Sequence, residues 1–172
     1  MRPARTWALA CWLALFLWGG AAAAAGGWLS GRVVSVTDGD TAVVATPNGR
    51  SLRVRFYGVD APEHANRDWP AQAYSDAAHR FMQALIADRQ VAVRLTGART
   101  HGREVGEVFV DGRSASRELL RAGLGWWNRK YAAKDSDLAR LQEAARAARA
   151  GLWRDAQPVP PWVHRARHRS GR

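Results

Sequence analysis

The sequence predicts an α+β domain: a five-stranded β-barrel with three α-helices. Two periodicities and their order carry that prediction. Five short stretches read as strands, three of them by alternation with a period of two, the mark of half-buried strands, and two as short β-branched or apolar runs. Three others repeat apolar residues at helical spacing. The order is three strands, a helix, two strands and two helices.

Val34 and Val36 alternate with Val33 and Ser35, and Thr41 to Thr46 is β-branched and apolar. Pro47-Asn48-Gly49-Arg50 reads as a hairpin turn, because Asn-Gly suits positive φ. Leu52, Val54 and Phe56 then alternate with Arg53, Arg55 and Tyr57. After a polar loop at 58–71, Tyr74, Ala77, Ala78, Phe81, Met82 and Leu85 mark one face of a helix. Val91, Val93 and Leu95 make a fourth strand, 97–102 a turn, and Val105 to Val110 a fifth strand ended by Asp111-Gly112. Ser114 to Ala122 reads as a short helix closed by Gly123. Leu138, Leu141, Ala145, Ala148 and Leu152 mark a third, with Asp135 or Ser136 as cap and Gly151 as stop. A helix between strands three and four of a five-stranded barrel is the OB-fold layout.

The 172 residues divide at about 25 and 157. Residues 1–25 have the three parts of an export signal: basic Arg2 and Arg5, an uncharged apolar run from Trp7 to Trp18, and alanines from Ala21 to Ala25. The competing reading is an uncleaved anchor, but the run is short for a spanning helix. A lipoprotein reading of Cys11 is weaker still, because Ala8 stands where a leucine-like residue belongs and the apolar stretch before Cys11 is too short. The chain is therefore expected in the periplasm or medium, a monomer with no stable membrane association once the signal is removed. Residues 26–157 form the folded domain, and 158–172 read as an irregular Pro/Arg-rich tail ending in a frayed basic segment. Cys11 is the only cysteine, so the mature chain has neither a disulfide nor a thiolate metal site. Without Arg2 and Arg5 there are 24 basic and 15 acidic residues, a net +9, and all the bases but Lys130 and Lys134 are arginine. Arginine grips phosphate with two prongs, although an Arg-rich composition alone favours a polyanionic partner only slightly.

The chemistry lies in Asp38-Gly39-Asp40-Thr41, Arg55, Asp60-Ala61-Pro62-Glu63 and Gly102-Arg103. Asp-Gly is an ordinary tight turn, and a loop arginine such as Arg103 is ordinarily solvated. Their conjunction says more. In a meander, the loop after strand one and the end of strand three share one end of the sheet, so Asp40, Asp60 and Glu63 face one cavity. Gathered carboxylates repel each other and raise one another's pKa values, a conflict that a divalent ion removes. All-oxygen ligation suits Ca²⁺, and Mg²⁺ less well. Two arginines beside such a site fit phosphoryl chemistry, where charge builds on the phosphate oxygens. The histidines at 64, 79, 101, 164 and 168 have no zinc-like spacing within one structured element.

From about Gly31 to Arg165 the chain resembles the thermonuclease family, whose best-known member is staphylococcal nuclease. The resemblance rests on Asp38 to Thr41, Arg55 to Glu63, Gly102-Arg103, Arg121-Ala122-Gly123-Leu124, Gly151-Leu152-Trp153 and Pro161-Trp162. It implies Ca²⁺ bound by Asp40, Asp60 and the Ala61 carbonyl. It implies Glu63 orienting or deprotonating the attacking water, and Arg55 and Arg103 holding the phosphate. It also implies DNA and RNA as substrates, cut at the bond to the 5′ oxygen to leave 3′-phosphates. The chain departs from the family pattern at Arg99-Thr100-His101 and at Asn128, where an aromatic and a tyrosine are common. Trp126, Trp127 and Tyr131 are candidates for stacking on bases, or equally for packing under the third helix. An OB domain that binds polyanions without cutting them is the alternative function. It has no use for three acids that repel phosphate. A structural envelope protein explains neither the acids nor the arginines.

Overall fold

The alternating segments pair into one closed barrel in the computed structural model, which describes residues 27–169. The export signal lies outside the described residues. Strands β1 (Trp28–Asp38), β2 (Thr41–Ala45) and β3 (Ser51–Phe56) form an antiparallel meander. β4 is the short Val59–Asp60, and helix α1 spans Ser75–Ile86. β5 (Gln90–Thr100) and β6 (Arg103–Val110) form a hairpin turned by His101 and Gly102, tighter than the expected 97–102 turn. β5 pairs with the first half of β1, from Trp28↔Arg94 to Arg32↔Gln90. β2 pairs with the rest, and register shifts at Val33/Ser35 and Val36/Asp38 bend β1 from one neighbour to the other. The barrel closes where β3 lies parallel to β6, Val54 beside Glu104 and Arg55 beside Val105.

The remaining elements cover one side. β7 (Arg113–Ser114) leads into α2 (Ala115–Arg121), where the Ser114 hydroxyl accepts the Arg117 amide at 3.5 Å. β8 (Trp126–Trp127) pairs antiparallel with β4. The short α3 (Arg129–Ala132) precedes α4 (Ser136–Ala147), which Asp135 caps by accepting the Leu138 amide at 3.2 Å. A 3₁₀ turn occupies Gly151–Arg154. The three expected helices are thus α1, α2 and α4. The tail expected to be irregular forms a further helix, α5 (Pro161–Arg169). Its prolines do not prevent this: Pro161 stands at the first helical position, where an N–H has no partner to lose.

The core is the barrel interior and the helix faces that cap it. Val33, Val44, Val54, Phe56, Val93 and Val108 are buried from the strands; Met82 and Ile86 from α1; Leu119 and Leu120 from α2; Leu138 from α4. Full burial of each is worth about 1.5–3 kcal/mol. Glu107 on β6 is also buried, and Arg94 (2.6 Å), Arg117 and the Ser114 hydroxyl (2.9 Å) satisfy it. Gly123 and Gly151 pack backbone to backbone, with the Leu152 amide donating to the Gly123 carbonyl at 2.8 Å. Both have positive φ, and a Cβ on Gly123 would lie 2.3 Å from the Ala150 oxygen, so no side chain fits there.

Candidate active site

The meander places the β1–β2 turn and the end of β3 at one end of the barrel, as the sequence predicts. Thr41 pairs with both Asp38 and Arg55, so the β1–β2 turn lies beside the end of β3. Within that turn the Asp40 amide donates to Asp38 Oδ1 at 3.0 Å. Gly39 lets the turn sit against its neighbours: a Cβ there would come within 2.7 Å of the Ala61 methyl and 2.8 Å of the Ala78 methyl. The close approach allows the Ala61 amide to donate to Asp40 Oδ2 at 2.6 Å. Asp40 is 2 % exposed and Asp60, at the end of β4, is 0 % exposed.

Arg55 lies between these two acids. One Nη donates to Asp40, and the other to Asp60 Oδ1 at 2.5 Å. The alternative reading, an outward arginine on a half-buried strand, applies to exposed Arg53 but not to Arg55. Burial pushes the Asp40 carboxyl well above the usual carboxylate range; Arg55 and the Ala61 amide pull it down, while Asp38 and Asp60 push it up. Arg55 is charged throughout the physiological range: burial works against its charge, but Asp40 and Asp60 outweigh burial and raise its pKa. Arg103 reaches the same place from the start of β6 and donates to the Thr41 hydroxyl at 3.3 Å. That hydroxyl in turn donates to Asp40 Oδ1 at 3.1 Å. Burial and the neighbouring Arg55 lower the Arg103 pKa.

Glu63 stands on the loop after β4. Its amide donates to Gln72 Oε1 at 3.1 Å and its carbonyl accepts the Gln72 amide at 2.8 Å. Its carboxylate meets Arg165 of α5, which also donates to both oxygens of Asp60, at 3.2 and 2.8 Å. Arg165 is the site residue that sequence reasoning missed. The only signals were Pro161-Trp162 four residues earlier and the basic character of the tail.

Asp40, Arg55, Asp60, Glu63, Arg103 and Arg165 line one cleft of about 1480 Å³. His101, Asn128, Lys130 and Tyr131 form part of its wall. Trp126 and Trp127 line it too, and both are also held by packing contacts. Trp126 lies edge-on to Trp153 at 4.5 Å and to Trp162 at 5.8 Å. Trp127 donates its indole N–H to the Ala132 carbonyl at 3.1 Å. Tyr131, 68 % exposed, remains open to a ligand.

The donor type at the floor of the cleft suits a hard divalent cation, since Asp40 and Asp60 are both buried carboxylates. Among the described residues no three Asp, Glu, His or Cys side chains are grouped so that they could hold a metal ion by themselves. The three acids are instead linked through guanidinium groups, Asp40 to Asp60 by Arg55 and Asp60 to Glu63 by Arg165.

The profile of the family described as staphylococcal nuclease homologue matches residues 53–155, three-fifths of the chain. The chain belongs to the staphylococcal nuclease family. An "uncharacterized endonuclease" of Escherichia coli O157:H7 is 36 % identical over 140 residues, which cover 81 % of this chain and 86 % of that protein. The E. coli protein ParB is 33 % identical over 80 % of this chain and 79 % of its own length. The staphylococcal-like nuclease CAN1 of Arabidopsis thaliana is 29 % identical over 71 % of this chain but 36 % of its own length. The matched family region begins at Arg53 and so includes Arg55, Asp60, Glu63 and Arg103, while Asp40 and Arg165 lie outside it.

Proposed function

We propose that this chain is an exported, monomeric Ca²⁺-dependent nuclease that hydrolyses DNA and RNA at the bond to the 5′ oxygen and leaves 3′-phosphates. The observation that carries this reading is the bridging of two buried carboxylates by Arg55, with Arg103 and Glu63 in the same cleft. A site for passive polyanion binding does not need acids at its floor, since they repel the ligand. The endonucleases among its relatives support the same class of reaction.

Asp40, Asp60 and the Ala61 carbonyl would hold the Ca²⁺. When bound, the ion would supply positive charge to offset the acids and Lewis acidity toward a phosphate. Arg55 and Arg103 approach from two strands of the barrel and hold the phosphate oxygens, where negative charge grows as the fifth bond forms. Glu63 orients a water opposite the leaving 5′ oxygen and takes its proton. Thr41 keeps Arg103 at the site by accepting its hydrogen bond. The apolar run and alanines before residue 26 support export.

The deciding experiment is hydrolysis of denatured DNA by the purified chain with Ca²⁺ and then with excess chelator, followed by end-group analysis. Chelator should abolish cutting, and the products should carry 3′-phosphates. Full activity in chelator, or 5′-phosphate products, would overturn the assignment.

A further inference from the structure

The acids at the floor of the cleft have a cationic partner from the far end of the sequence. Arg165 lies 105 residues from Asp60 and 102 from Glu63, yet it bonds to both oxygens of the first and one of the second. Its side chain is 24 % exposed, so the contact is sheltered. Asp60 and Glu63 help to keep the guanidinium charged, against the cost of its burial.

The helix that carries Arg165 is fixed at several points. Buried Pro161 begins it, and Trp162 meets Trp126, the residue paired with Asp60 across β4 and β8. The His164 ring reaches the Pro70 carbonyl at 3.0 Å, and Gln72 donates to the Val159 carbonyl just before the helix. Gln72 is also the residue that holds the Glu63 backbone. The same loop thus positions both ends of the Arg165–Glu63 pair.

With Arg55 already on Oδ1, the two-pronged contact leaves neither Asp60 oxygen free, and a divalent cation would need at least one of them. A guanidinium and a divalent cation cannot both hold the same oxygen closely, because their charges repel. We propose that Arg165 is a positioning residue of this site: it holds Asp60 and Glu63 in place before the cation enters, then yields Asp60 to the cation and keeps Glu63. The inference rests on the Ca²⁺ reading above. Lysine could not substitute fully, since a point charge cannot span two carboxylates as the planar fork does.

The test measures metal binding and stability without substrate. Ca²⁺ affinity of the whole chain is measured by calorimetry for wild type, Arg165→Gln and Arg165→Lys, alongside melting curves in chelator and in Ca²⁺. Removing the competing charge should tighten Ca²⁺ binding about tenfold or more in Arg165→Gln, with Arg165→Lys intermediate. In chelator Arg165→Gln should melt below wild type, and Ca²⁺ should raise its Tm by more than it raises that of wild type. A merely structural arginine would move affinity the other way, because a loosened site binds metal less well. Unchanged or weaker Ca²⁺ binding in Arg165→Gln, with wild type binding normally, would overturn the Arg165 assignment alone. If Arg165→Gln does not fold in either condition, Arg165→Lys decides: an affinity equal to wild type counts against the proposal. No Ca²⁺ binding by any of the three proteins would remove the Ca²⁺ reading as well.

Discussion

Replacing Arg55 by glutamine should destabilise the protein by an amount that depends on pH. The guanidinium contacts Asp40 and Asp60, whose side chains are 3 % and 1 % exposed, and is itself 16 % exposed. Removing one partner from a buried ion pair costs about 3–5 kcal/mol, because the remaining charge stays desolvated. A second limit comes from proton uptake. A stranded carboxyl can always be protonated, at a cost of about 4 kcal/mol at pH 7 for a group of ordinary pKa near 3.9. At pH 5 the same step costs about 1.5 kcal/mol, so the penalty should shrink as pH falls. The sign follows from a folded-state pKa above the unfolded one: the stability penalty is absent at low pH and grows as pH rises through the neutral range. Asp40, already pushed up by burial, is the group that should take the proton. For a domain of this size the loss at pH 7 is a fall in Tm of roughly 10–15 °C. The assay is thermal denaturation by circular dichroism in chelator at pH 7 and pH 5. The double variant Arg55→Gln, Asp40→Asn should lose less than the sum of the two single variants. A Tm within about 3 °C of wild type at pH 7, or a loss equal at both pH values, would refute the idea that Arg55 compensates these acids.

Arg103→Ala should behave oppositely: hydrolysis about a hundredfold slower or worse, by initial rates, with little change in melting, since its partners in the free protein are a hydroxyl and a backbone carbonyl. Glu63→Gln should lower kcat more than it changes KM in steady-state kinetics, as expected of a group that acts on the attacking water. Heat-denatured DNA should be cut faster than the native duplex at fixed Ca²⁺ and salt, and Tyr131→Ala should raise KM for single strands by about fivefold or more, by loss of a stacking face of about 1–3 kcal/mol. Gly123→Ala should cost more than about 1 kcal/mol in denaturant titrations, because its positive φ and the Ala150 oxygen both oppose a Cβ.

Much of the fold was legible because the barrel is built from local signals. Alternation from Leu52 to Phe56, the Asn48-Gly49 turn and the spacing of Ala78 and Met82 each specify their element without distant help. The meander then follows, and with it the nearness of Asp40, Arg55 and Asp60. Elements of two residues are another matter. β4 and β8 carry no period, and Val59 and Trp127 pair across a long stretch of sequence with no local signal. The same limit hides whether Trp126 packs or stacks, which Trp153 and Trp162 decide from more than twenty residues away. Arg165 was obscured for a different reason. Pro158, Pro160 and Pro161 argue for irregular chain, and one arginine among many in a basic tail has no local feature that separates it from Arg167 or Arg169. Its position is a fact of tertiary structure: the 63–72 loop gathers the helix through Pro70 and Gln72.

The parallel seam between β3 and β6 sets when the molecule becomes competent during folding. Arg55 and Arg103 arrive on strands whose sequence order is interrupted by a helix and a hairpin, so their meeting requires a long chain loop to close. Local hairpins and α1 form without that step, and non-local pairing is the slower event. A refolding chain can therefore regain most of its far-ultraviolet ellipticity while the two arginines are still apart. Recovery of phosphodiesterase activity should lag that spectroscopic signal and follow the kinetics of seam formation, which makes turnover a reporter of barrel closure.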